Sequence, residues 1–157
     1  MTSRLEDVIA YIAKHYPYKE ELSNARVTKM VYLADWLSLI NGKPSVSSID
    51  WYFDNYGPFV WDIKRCVENS DTLNLRRTST VFGNKKEVVE LNNDNYTPVV
   101  DNDTKWAIDH IISETKKLNW ADFIRLVYST YPVASSQKYT VLDLPTLAQE
   151  YVASPQK

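Results

Sequence analysis

Residues 30–40 read MVYLADWLSLI, and in that run only Asp35 and Ser38 are clearly polar. A helix that is apolar around nearly its whole circumference is buried on nearly all sides. The segment is therefore expected to be the central pillar of the fold. Either Ser23 or Asn24 can cap its start by accepting a hydrogen bond from a free first-turn amide. Gly42 is placed to stop it, with Pro44 just beyond.

The next informative stretch is WYFDNYGPFVWDIK, residues 51–64. Three of the five tryptophans, together with Tyr52 and Tyr56, fall between Trp36 and Trp61 around Gly57-Pro58, which holds one of only three glycines. Glycine permits backbone angles that other residues resist, and proline fixes φ and lacks an N–H. The pair is thus predicted to turn the chain into a helix over Phe59–Glu68, with Val60, Ile63 and Val67 along one face. Residues 48–53 suit a short strand. Most of these aromatic rings are expected in the core, since large rings supply much of the buried area of a small domain.

Working outward, Leu5, Val8, Ile9 and Ile12 recur at helical spacing after Thr2-Ser3, either of which can cap the helix, and Pro17 closes it. From Leu73 to Leu91 the composition shifts to β-formers around Phe82-Gly83-Asn84, a hairpin signal. Asn92–Pro98 is then a polar loop. Asp101 or Asp103 can cap a helix carrying Trp106 in part, with Ile108, Ile111, Ile112, Thr115 and Leu118 at helical spacing. Asn119 can cap another, with Trp120, Phe123, Ile124, Val127, Tyr128 and Tyr131 as one apolar stripe that Pro132 ends. Residues 138–144 can be extended, and Pro145 opens a final short helix to about Tyr151.

The fold class implied is α+β, mostly α: one compact helical domain over residues 1–157 with a central buried helix and a small antiparallel hairpin or sheet. The hairpin occupies about 73–91 and a short C-terminal extension about 145–157. A chain of 157 residues can bury a sizeable core without a disulfide or metal. Its 18 basic and 20 acidic side chains give a net charge of −2, so no global field draws it to nucleic acid or an anionic membrane. The lone Cys66 allows no internal disulfide, which fits a reducing compartment and a buried, inert thiol. The first residues lack a signal-peptide pattern, and no apolar run approaches the roughly 20 residues that span a bilayer. A cytoplasmic protein with no membrane partner is expected.

The sequence offers little chemistry. His15 and His110 lie far apart and Cys66 is near neither, so no metal site is expected. Three glycines at 42, 57 and 83 provide no phosphate cradle, and no cofactor is expected. No nucleophile motif is present. A hydrolase or transferase would need two of Asp35, Asp54 and Asp62 to converge in a cleft with separated pKa values, which their spacing does not favour. The reading is therefore not an enzyme. Arg76, Arg77, Lys85 and Lys86 could form a basic patch across the hairpin, but Glu87 and Glu90 interrupt it and no recognition helix is visible. Nucleic acid is accordingly disfavoured as a partner. Asp35, within an apolar helix, must be hydrogen-bonded, paired with Arg26, Lys29 or another cation, or shifted towards its neutral form. Its alternative role is a polar anchor for a partner.

The segments ARVTKMVYLADWLSLINGKP (25–44), DWYFDNYGPFVWDIKR (50–65) and WADFIRLVYSTYPVASSQKY (120–139), in that order, resemble the Panacea antitoxin domain, also called SocA-like. The most specific parts are Leu33-Ala34-Asp35-Trp36 with Asn41-Gly42-Lys43-Pro44 behind it, and Tyr56-Gly57-Pro58. The similarity extends over most of residues 1–140. It implies a small, mostly helical bacterial or prophage domain that neutralises a protein toxin encoded by a neighbouring gene, usually by direct binding. An adaptor that delivers the toxin to a protease, or a nucleic-acid-binding regulator using the basic hairpin, would leave a similar trace. Tyr52, Tyr56 and Trp61 are the candidate partner-binding residues, with Asp35 beside them, because such aromatic side chains carry much of the energy of protein interfaces. The toxin, the contact surface and the oligomeric state are not written in the sequence.

Overall fold

The central helix forms where the sequence places it. In the computed structural model, which describes residues 3–154, α2 runs over Asn24–Ile40. Ser23 Oγ accepts the Arg26 N–H at 3.1 Å and so caps its start. At its end Gly42 takes φ +74°, and the Lys43 N–H returns to the Ser38 carbonyl at 2.9 Å, a left-handed termination that satisfies carbonyls the helix cannot use. Val27, Met30, Val31, Tyr32, Leu33, Ala34 and Trp36 are all buried. Each such aliphatic side chain contributes roughly 1.5–3 kcal/mol.

Around this pillar pack α1 (Leu5–His15), α4 (Asn102–Thr115) and α7 (Leu144–Ala153). Val8, Ile9 and Ile12 of α1 and Ala107, Ile108 and Ile111 of α4 supply their buried faces. Trp36 lies against Tyr131 and Tyr151 at ring separations of 6.4 and 5.5 Å, fixing the C-terminal end of the chain to α2. Two short helices, α5 (Trp120–Ser129) and α6 (Tyr131–Ser135), connect the α4 region to that end.

Two small antiparallel sheets complete the fold. β1 (Trp51–Asp54) is central in a three-stranded sheet, with β2 (Gly57–Phe59) on one side and β5 (Val141–Leu142) on the other. Its register pairs Tyr52 with Phe59 and with Val141. The second sheet is the hairpin of β3 (Leu73–Ser79) and β4 (Lys85–Leu91), in which Arg77 faces Glu87 and Leu73 faces Leu91. Leu73, Val88 and Val89 anchor it in the core, and the Val89 N–H bonds the Leu22 carbonyl at 2.9 Å. The architecture is α+β, mostly α, as the sequence implies.

Several local expectations need correction. The helix expected over Phe59–Glu68 is shorter: α3 covers Asp62–Glu68, while Phe59 belongs to β2. Gly57 is the first residue of that strand at φ +100°, and the chain reverses one step earlier, at Asn55-Tyr56. Pro58 is tolerated because β2 is an edge strand, where a missing N–H breaks no interior ladder. Pro132 does not simply end the preceding helix. Thr130 is extended, at φ −68° and ψ 147°, and Pro132 sits in the first turn of α6, where its absent N–H is not needed. Of the two proposed caps of α1, Thr2 lies outside the described residues, and Ser3 Oγ accepts the Asp101 N–H while Arg4 holds the cap position. The last helix runs past Tyr151 to Ala153.

Candidate functional site

Strand alternation sorts the aromatics around Gly57. Trp51 and Phe53 face inward and are buried, whereas Tyr52 faces out at 37% exposure. Tyr56, at the hairpin turn, is 79% exposed, and Trp61, just before α3, is 56% exposed. The Trp61 ring meets Phe59 edge to face at 5.0 Å. The structure thus places the three candidate aromatics on the rim of one small hairpin.

Two depressions meet at Trp61. The larger, about 640 Å³, opens between α2, the β1–β2 hairpin and α5, and is lined by Lys29, Asp54, Tyr56, Phe59, Trp61, Trp120, Ile124 and Tyr128 among others. The smaller, about 350 Å³, is lined by Tyr52, Asp54, Phe59, Val60, Trp61, Asp62 and Arg65. Asp54 and Asp62 share this shallow hollow, which contains no histidine or cysteine. Asp35 is in neither.

The far wall of the larger groove was hidden in a single expected stripe on α5. Phe123 and Val127 of that stripe are fully buried, but Trp120, Ile124 and Tyr128, spaced four apart, turn towards the groove, and Trp120 is 47% exposed. The signal was the width of the stripe, which exceeds what one contact face requires. Tyr128 also packs against Phe53 at 6.2 Å and stands 3.4 Å from where a side chain at Gly57 would begin. The hairpin and α5 are therefore held at van der Waals contact.

Lys29 forms the floor. It is 3% exposed, its Nζ lies 6.0 Å from the Phe59 ring centroid, and burial depresses its pKa to about 8, opposed by the nearby Asp54 charge. Arg26, one turn earlier on α2 and equally buried, is provided for differently. Its guanidinium donates to the Thr115 and Leu118 carbonyls at 2.8 and 3.0 Å and stacks 4.4 Å over Phe123.

Neither cation pairs with Asp35. Asp35 is fully buried and accepts hydrogen bonds from Ser47 N at 2.8 Å, from Ser47 Oγ and from Trp51 Nε1 at 2.8 Å. Lys29 is six residues away and Arg26 nine, which places them about 240° and 180° around the helix from Asp35. Burial pushes the Asp35 carboxyl above its usual range, and the Ser47 and Trp51 bonds pull it back. As a surface anchor Asp35 is out of reach, covered by Ser47 and Trp51.

Two of the four hairpin cations are offset by acids, while Lys85 and Lys86 carry no ion pair among the described residues. Arg76 bonds Glu90 and Glu20, and Arg77 and Lys64 both approach Glu87. Cys66 is a half-buried thiol whose pKa burial raises. No group of three or more metal-ligating side chains is present among the described residues. None of the described helices is long and apolar enough to cross a membrane.

This is a mostly helical α+β protein in which Tyr56, Trp61 and Trp120 stand exposed around one groove. Residues 27–132 match the family described as Antitoxin SocA-like, Panacea domain, and the chain belongs to that family. The matched span begins inside α2, ends inside α6 and includes Lys29, the β1–β2 hairpin and Tyr128. No curated protein and no solved structure matches the chain.

Proposed function

We propose that this protein is the antitoxin of a toxin–antitoxin pair and neutralises a cognate protein toxin, encoded by a neighbouring gene, through direct protein–protein binding in the cytoplasm. The observation that carries the reading is the exposed cluster of Tyr56, Trp61 and Trp120 about one groove, in a chain of the SocA-like antitoxin family. Amphipathic rings bury much area for little lost freedom and dominate the energetics of protein interfaces. Tyr52 extends the same surface beyond Trp61. The role is binding, with no chemical step assigned to this chain.

The test is co-expression with the neighbouring open reading frame. The neighbour should halt growth alone, be tolerated with this protein and co-purify with it. A neighbour harmless by itself removes the basis of the proposal.

A further inference from the structure

The two buried cations of α2 differ in one respect. One terminal nitrogen of Arg26 meets two carbonyl acceptors and its guanidinium lies on an aromatic face, although its buried Nε has no hydrogen-bond partner among the described residues. Lys29 has neither a hydrogen bond nor an ion pair among the described residues, although 97% of its surface is covered. Removing an ammonium from water is expensive unless its donors are met. Here they face a groove of about 640 Å³ whose walls are Trp61, Trp120, Tyr128 and Phe59. The Lys29 ammonium opens on the groove with no protein acceptor among the described residues, and the walls are flat and apolar.

That combination selects a ligand. A carboxylate satisfies the ammonium, while an apolar group attached to it fills the space between the rings. A free phosphate or other polyanion fits poorly, because among the described residues Lys29 is the only cation lining the groove and Asp54 stands beside it. The Asp54 carboxylate already accepts the Asn55 N–H at 2.9 Å and has capacity for a second amide donor. Carboxylate, apolar group and amide together describe a peptide.

We propose that the groove receives an exposed segment of the toxin in which an aromatic or branched apolar side chain lies between Trp61 and Trp120 and an adjacent Asp or Glu carboxylate reaches Lys29 Nζ. The identity of the partner rests on the antitoxin reading; the groove's preference for an acidic-apolar peptide does not.

The probes are two capped dipeptides, acetyl-Glu-Trp-amide and acetyl-Gln-Trp-amide, titrated into the full chain while the Trp61 and Trp120 indole N–H resonances are followed. A charge-assisted hydrogen bond makes the Glu peptide bind about tenfold more tightly than its Gln counterpart. Lys29→Met, which removes a buried charge and retains the stem, abolishes that preference; Trp61→Ala weakens both peptides and keeps it. Equal affinity of the two peptides, or a preference that survives in Lys29→Met, overturns the proposal. Uptake of indole-3-propionate with no binding of either peptide also overturns it and makes the groove a small-molecule site. In co-expression, a folded Lys29→Met protein should lose rescue. If it rescues as well as the wild type, the groove inference falls and the antitoxin reading stands; if the wild type itself gives no rescue, the antitoxin reading falls and the titration still decides the groove.

Discussion

Trp51 Nε1 donates a 2.8 Å hydrogen bond to Asp35 Oδ2, joining the middle strand of the small sheet to the middle of the central helix. Ser47 supplies the remaining donors from the connecting loop. One buried carboxylate thereby positions the whole α2-to-β1 connection, and with it the hairpin that carries Tyr56 and Trp61. Asp35→Asn keeps the shape but turns an N–H₂ towards groups that themselves donate. The expected loss is about 2–3 kcal/mol of unfolding free energy. Trp51→Phe removes one donor and part of a fully buried ring, so it too should lower stability in the same denaturant titration.

This much of the design was legible at the level of residue type: a carboxylate in an apolar helix has to find partners. Which partners it finds was not legible, because the candidates were judged by charge, and position around the helix rules out Lys29 and Arg26. The pillar itself, the Asn119 cap and the hairpin over 73–91 were readable, and the caps of α2 and α4 to within a pair of residues, since each rests on local periodicity or a local hydrogen bond. The groove was only half readable. Its hairpin side is contiguous in sequence, but Lys29 and the α5 wall are brought to it by tertiary packing alone.

Lys29 should leave a mark on the pH dependence of stability. Its folded pKa of about 8 lies below the unfolded value of about 10.5, so between them the unfolded chain binds more protons and stability rises with pH. Lys29→Met has no such slope. The variant should therefore be more stable than the wild type near neutrality, with the gap narrowing by about 2 kcal/mol between about pH 7 and about pH 9.5. Comparing the two proteins cancels whatever titrates identically in both. A gap that is constant with pH would mean that Lys29 is solvated in the native state.

Gly57 shares its positive φ with Gly83 but, unlike it, has a neighbouring side chain at contact distance. Both have positive φ, +100° and +81°, but a Cβ at Gly57 would lie 3.4 Å from Tyr128 Cε1, whereas nothing lies within 4 Å of one at Gly83. Alanine at either position meets the backbone penalty of about 1–2 kcal/mol. Gly57→Ala should cost more than Gly83→Ala in thermal or denaturant unfolding.

Trp51 and Trp61 separate folding from binding within one short segment. Trp51 is fully buried and Trp61 is more than half exposed, its ring resting on Phe59. Trp51→Ala opens a cavity and should cost about 3–5 kcal/mol. Trp61→Ala should change stability by about 0.5 kcal/mol or less, as surface substitutions generally do. Its expected effect is weakened rescue from the toxin with an unchanged folded circular dichroism spectrum. If Trp61→Ala instead unfolds the protein, the ring serves the core, and the contact surface must be sought away from the β1–β2 hairpin.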